Sequence, residues 1–287
     1  MNCRASLGTA GNPCYSLRHL FISIWRIMNS THSLFQRLLP TLPQGKPIGI
    51  HIGLYWTAVV FEVEGETRCG LAATIGDESH HYTNEPAVTR AGRLADLSSN
   101  ELTNLVYSEH PPEVSVGIAA VNALLPRLPH LWADIHSKEV LARLGADKNV
   151  AMVGHFPFAE ELRPQVGHLW VLEQNPQDGD LPASAAPEII PQADVLAITA
   201  MTLLNRTFDD LIALRRPGVP TLIIGPTTPL SPILFEAGAT ILSGAIVEQP
   251  EAVLSALSQG ANFHQLRKAG VRLVSMSAEN AQIIQRH

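Results

Sequence analysis

The chain has 287 residues, 46% of them apolar and 16% charged, a globular composition long enough to bury a core without staples. Its charge is unevenly spread: residues 1–61 contain no Asp or Glu and carry +5 (Arg4, Arg18, Arg26, Arg37, Lys46), while the remainder carries −11. An acidic body whose basic residues come singly or in pairs such as Arg215-Arg216 argues against nucleic acid, and the early apolar run Leu20 to Trp25 is too short to span a membrane.

Residues 1–29 read as a leader. Without a long apolar centre or an Ala-x-Ala cleavage site it does not resemble a secretory signal. An organelle transit peptide and a disordered basic tail both fit its composition. A start assigned too early, with Met28 as the first residue, is the simplest reading. Three cysteines (Cys3, Cys14, Cys69) form no Cys-x-x-Cys pair and no even framework, which points to a reducing, cytoplasmic setting.

From 30 to 136 the pattern is α+β. Ser30 or Thr31 caps a short helix that Pro40 and Pro43 stop. Pro47 to Glu64 reads as one long strand or two short ones, rich in β-forming side chains. A tight turn at Glu64-Gly65-Glu66 leads into a second strand, Thr67 to Ile75, so the pair is an antiparallel hairpin. A polar loop with His80-His81 follows. Then come a helix capped by Ser98 and Ser99 and an apolar helix from Val114 to Leu125.

From 137 to 287 short apolar runs alternate with helices. Ser137 is the expected cap of a helix ended by Gly145. Strands are expected at Val150 to Val153, Leu169 to Leu172, Val195 to Thr199, Thr221 to Ile224 and Thr240 to Leu242. That grammar implies an α/β fold: a Rossmann-like parallel sheet covered on both faces, preceded by the smaller α+β unit.

In such a sheet ligands bind at the strand carboxyl ends, where four loops stand out. Val153-Gly154-His155-Phe156-Pro157 lacks the glycines of a dinucleotide fingerprint. His155 there is a metal ligand, a proton donor or a plain capping histidine. Glu173 ends the next strand, 19 residues after Gly154, at the spacing of a ribose-binding acid or of an ordinary solvated one. Thr199, Thr202, Asn205 and Thr207 cluster between a strand and a helix start, as a polar cradle or as loop chemistry in which Asn205 caps the helix. Gly225-Pro226-Thr227-Thr228-Pro229-Leu230-Ser231-Pro232 combines a stiff turn with a Ser-Pro helix start, and its free N–H groups suit a carboxylate or phosphate.

Taken in order, these loops, with Ala193 to Thr199 and Thr202 to Thr207 between them, resemble the DUF364 family, labelled a heavy-metal chelation domain. Gly70-Leu71-Ala72 and Ala119-Ala120-Val121-Asn122-Ala123 resemble its amino-terminal DUF4213 partner, whose fold is similar to the enolase amino-terminal domain. The resemblance covers about Leu34 to Val274 and implies two units meeting at one cleft that takes a metal or a metal-chelating small molecule. It adds Asn122 to the candidate site. Soft metals prefer thiolates, yet only Cys69 falls in this stretch. A direct site would therefore use His155 and Glu173, which suits zinc, nickel, cobalt or iron. The alternative is a metal-free enzyme or sensor for a nucleotide-like or carboxylated molecule. A homo-oligomer is compatible with either.

Overall fold

Residues 33–76 and 86–277 of the computed structural model are described; the leader, Ser30, Thr31 and the His80-His81 doublet lie outside them. The described chain opens in a helix over 33–38 (α1), which Pro40 ends in a 3-10 turn at Leu39–Thr41. The β-rich stretch divides into Lys46–Ile52 (β1) and Trp56–Val63 (β2). Glu66–Ala73 (β3) completes an antiparallel sheet in the order β1-β2-β3. Glu64 and Gly65 lie at φ 53° and 82°, the left-handed pair favoured in two-residue hairpin turns. Helix Ser99–Asn104 (α2) starts at a capping box formed by Ser98 and Glu101.

Helix Pro111–Leu124 (α3) buries twelve of its fourteen residues, as expected of a helix apolar all round. Gly70 lets it lie directly on β3, since a Cβ there would overlap the carbonyl of Ala119 and the amide of Ala123. The pairing of Gly70-Leu71-Ala72 with Ala119 to Ala123 is thus a packing contact.

The larger sheet is built from Trp132–Ala133 (β4), Asn149–Val153 (β5), His168–Glu173 (β6), Leu181–Pro182 (β7), Val195–Thr199 (β8), Thr221–Ile224 (β9), Ile241–Val247 (β10) and Val271–Ser277 (β11). Its order is β4-β11-β10-β9-β8-β5-β6-β7, parallel from β10 to β7, with β11 and β4 joined antiparallel. Between the strands run Ser137–Gly145 (α4), Ala159–Leu162 (α5), Ala186–Ile189 (α6), Met201–Leu204 (α7), Phe208–Ala213 (α8), Ile233–Glu236 (α9), Pro250–Ser258 (α10) and Phe263–Lys268 (α11). From β5 the chain winds one way to β6 and β7. It then returns to β8 on the other side of β5 and continues through β9 to β10. The switch point therefore lies between β5 and β8.

Strand alternation sorts the cores. Val150, Met152, Val195 and Ala197 face α4 and α5, whereas Ala151, Val153, Leu196 and Ile198 share a core with α3 and the small sheet. The opposite face of the small sheet (Ala58, Val60, Leu71) packs on Val253, Leu257 and Leu266 of α10 and α11.

Three helix starts differ from the sequence expectation. His136, not Ser137, is the N-cap of α4, because its extended backbone lets ring Nδ1 accept the Lys138 N–H at 3.1 Å. Pro232 is the N-cap of α9, with Ser231 Oγ accepting the N–H of Ile233 at 3.4 Å. Asn205 does not cap α8: Arg206 adopts φ 63° and places Thr207 at the N-cap.

Candidate functional site

At the switch point Gly154 adopts φ 98° against Thr199, whose Cγ2 would lie 2.9 Å from any added Cβ. The carboxyl ends of β8 and β9 and the middle of β10 border a cleft of about 640 Å³. Its floor includes Thr199 and the turn Gly225-Pro226-Thr227, and Trp56 and Ala73 of the small sheet close one side. Two aromatic pairs line it: Phe156 and Phe158 stack at 5.4 Å, and Trp56 and Phe263 meet at 5.1 Å with their planes tilted by 44°. The rim carries His136, Lys138, His264 and Arg267, with Glu139 and Glu161 as the acids. Lys138 is bound to Glu161 at 2.5 Å, whereas Arg267 makes no ion pair among the described residues. His136 packs edge-on against Phe158. Burial of the ring, followed by the nearby cations Lys138 and Arg267, holds its pKa below the usual histidine value.

Beside the cleft, His155 and Glu173 meet through the backbone. Glu173 Oε2 accepts the His155 N–H at 2.8 Å, and Oε1 accepts the N–H of Gln174 at 2.7 Å. The imidazole turns instead to Asp180, with Nδ1 2.9 Å from a carboxylate whose side chain is only 1% exposed. Because a carboxylate accepts, Nδ1 donates and Nε2 is left as the basic nitrogen of the neutral ring. Sequence reasoning missed Asp180. The available signal was the Asp178-Gly179-Asp180 turn, in which Asp180 also accepts the Gln177 N–H at 3.1 Å.

The remaining candidates separate by location. Phe156, Thr199, Gly225, Pro226 and Thr227 line the cleft. Thr202 is buried and bonds the carbonyl of Thr199 at 2.7 Å. Asn205 accepts the N–H and hydroxyl of Thr207 at 3.3 and 2.7 Å, a closed local turn. Thr227 Oγ1 accepts the N–H of Ala73 at 2.9 Å, and Asn122 Nδ2 donates to the carbonyls of Leu71 and Thr227. The N–H of Thr228, expected free for an anion, instead closes a turn onto Gly225 at 2.9 Å. Asn122 Oδ1, Trp132 Nε1 and Thr228 Oγ1, all without a partner among the described residues, belong to residues that border a separate cavity of about 30 Å³, room for about one water.

A resident soft metal does not fit these donors. Among the described residues no three His, Cys, Asp or Glu side chains gather as a ligand set. Burial pushes the Cys69 thiol up to about 12, with Arg127 opposing weakly, so the thiolate that a soft metal needs is disfavoured.

Comparison with known proteins fits this architecture. The profile of DUF364, described as "Putative heavy-metal chelation", matches residues 138–276, and that of DUF4213, described in the same words, matches 36–125. The chain carries a DUF364 region preceded by a DUF4213 region. A DUF364 protein of unknown function from Desulfitobacterium hafniense is similar at TM-score 0.71 and 25% identity, covering 86% of this chain and 98% of that one. Another from Pyrococcus horikoshii gives TM-score 0.73 at 21% identity, covering 88% and 100%, a likeness of fold. An uncharacterised protein of Methanocaldococcus jannaschii is 27% identical over 221 residues, 73% of this chain and 82% of the relative. In this chain no helix among the described residues is long and apolar enough to cross a membrane.

Proposed function

We propose that this protein handles metal in chelated form, binding an anionic organic chelator or its metal complex in the cleft rather than gripping a bare ion. The observation that carries the reading is the 640 Å³ cleft itself, aromatic-walled, with Lys138 paired to Glu161 at its rim and Arg267 left without an ion pair among the described residues, a size and lining suited to a small molecule. The family description supplies the metal. The absence of a three-residue ligand set among the described residues favours a metal that arrives with its own ligands. In this reading two units meet near residue 137, a Rossmann-like one supplying the floor and an enolase-N-like one supplying Trp56 and Ala73.

Calorimetry separates the possibilities. Zinc, nickel, cobalt and iron are each titrated bare and as their citrate complexes. Saturable binding confined to the complexes is the expected result. Tight binding of a bare ion that His155→Ala abolishes would overturn it in favour of direct ligation. A metal-free ligand is the second reading, favoured by the two aromatic pairs, which suit a planar organic body. Native mass spectrometry of the purified protein tests it through the mass and metal content of any retained adduct.

A further inference from the structure

We infer that the amino terminus of α4 seats an anionic oxygen group, a carboxylate or phosphate, of whatever molecule occupies the cleft. The inference rests on the cleft being the ligand site and names the group by which the ligand is held. α4 is nine residues long, and its first turn lines the cleft. Three of its first four N–H groups are already taken by His136. Ring Nδ1 receives that of Lys138, and the His136 carbonyl receives those of Glu139 and Val140 at 2.9 and 3.3 Å. The N–H of Ser137 has no acceptor among the described residues.

The Ser137 side chain gives a second, independent indication. The residue is only 6% exposed, yet its hydroxyl has no partner among the described residues and is not sealed in the interior, so it opens on the cleft it lines. A nearly buried serine thus offers two donors, N–H and Oγ–H, at the positive end of a helix dipole, an arrangement that suits an oxyanion. Arg267, on the same cleft and without an ion pair among the described residues, supplies the charge. His136 adds a further donor: with Nδ1 accepting from Lys138, the proton of the neutral ring lies on Nε2. Glu139, exposed at the third position of α4, is the opposing charge.

The test uses the full chain, labelled with nitrogen-15 and titrated separately with inorganic phosphate and with citrate. A saturable shift of the Ser137 amide with either probe is the expected result, and the stronger probe tells phosphate from carboxylate. Ser137→Ala and Arg267→Gln each weaken that binding about ten-fold, and Glu139→Gln strengthens it. Both weakening variants change exposed or conservatively replaced positions and keep the wild-type melting temperature. Absence of a saturable Ser137 shift with both probes, or wild-type affinity in both variants, overturns the inference. The two proposals fail separately. Citrate complexes that bind Ser137→Ala and Arg267→Gln both as well as wild type remove the α4 seat but not chelate handling. Anions that saturate at Ser137 in a protein that binds no metal complex remove chelate handling but not the seat.

Discussion

Asn122 holds Thr227 in place: the amide nitrogen that donates to the Thr227 carbonyl at 3.1 Å also donates to that of Leu71 at 2.8 Å. One side chain on α3 thus ties the end of β9, where the cleft floor begins, to the small sheet. Asn122→Ala should cost about 1–3 kcal/mol, because it leaves two buried carbonyls short of a donor. Asn122→Asp should cost more, since an ionised carboxylate offers those carbonyls no proton. Thr228→Val, which removes a buried hydroxyl that has no partner among the described residues, should change stability by less than about 1 kcal/mol. Urea denaturation of the three variants checks the order.

The pair formed by His155 and Asp180 carries a spectroscopic prediction. With Nδ1 donating to Asp180 at 2.9 Å, the neutral ring is held in the Nδ1–H tautomer, leaving Nε2 to accept from a ligand. Long-range proton–nitrogen spectra should show that single tautomer in the wild type and a mixture in Asp180→Ala. A single unchanged tautomer in the variant would mean that Asp180 does not orient the ring.

Gly154 and Thr199 set the width of the switch-point crevice. Gly154→Ala meets two costs, a backbone at φ 98° and a Cβ 2.9 Å from Thr199 Cγ2, together about 2–4 kcal/mol. Adding Thr199→Ser removes the crowding methyl but neither the 3.0 Å approach to the residue 199 Cβ nor the backbone strain, so the double variant should recover only part of the loss. Full recovery in a double-mutant cycle would show that crowding alone decides the residue.

Asp209 gives a pH dependence. Burial raises its pKa from 3.8 to about 6, with neighbouring Asp210 adding to the effect and Ser33 opposing it. A carboxyl whose folded pKa is raised favours folding while protonated, so its contribution is full below about pH 4. It is lost as pH rises through about 6. Asp209→Asn should therefore be more stable than wild type at pH 8, by on the order of 1–3 kcal/mol. That advantage should vanish near pH 4, as melting temperatures at the two pH values will show.

Much of this architecture was legible because it repeats. Strands such as Val195–Thr199 and Thr221–Ile224 are short apolar runs between turn signals, and their boundaries follow from sequence alone. β11 was not legible: its antiparallel return beside β10 depends on tertiary pairing rather than on any local turn. The site divided along the same line. Thr199 and Gly225-Pro226-Thr227 are found by their place at strand ends. Asp180, Ser137 and Arg267 come from separate elements, and only folding brings each to its partner or to the cleft. Polar residues that satisfy one another, such as Asn205 and Thr207, look in sequence the same as residues poised for a ligand.

Cys69 separates thiolate chelation from the chelate reading most directly. It is 6% exposed, its thiol faces the Gly70 carbonyl at 3.9 Å, and burial pushes its pKa up to about 12. Both soft-metal ligation and disulfide exchange proceed through the thiolate. In a protein carrying Cys3→Ser and Cys14→Ser, an aromatic disulfide reagent at pH 8 should therefore react with no thiol in the folded state and with one after unfolding in urea. Cadmium should neither bind the folded double variant nor raise its melting temperature. Cys69→Ala should leave binding of the citrate complexes unchanged, because Cys69 does not line the 640 Å³ cleft. Rapid modification of the folded protein, or cadmium binding that disappears with Cys69→Ala, would restore the thiol as a metal ligand and overturn the assignment of chelation to the cleft.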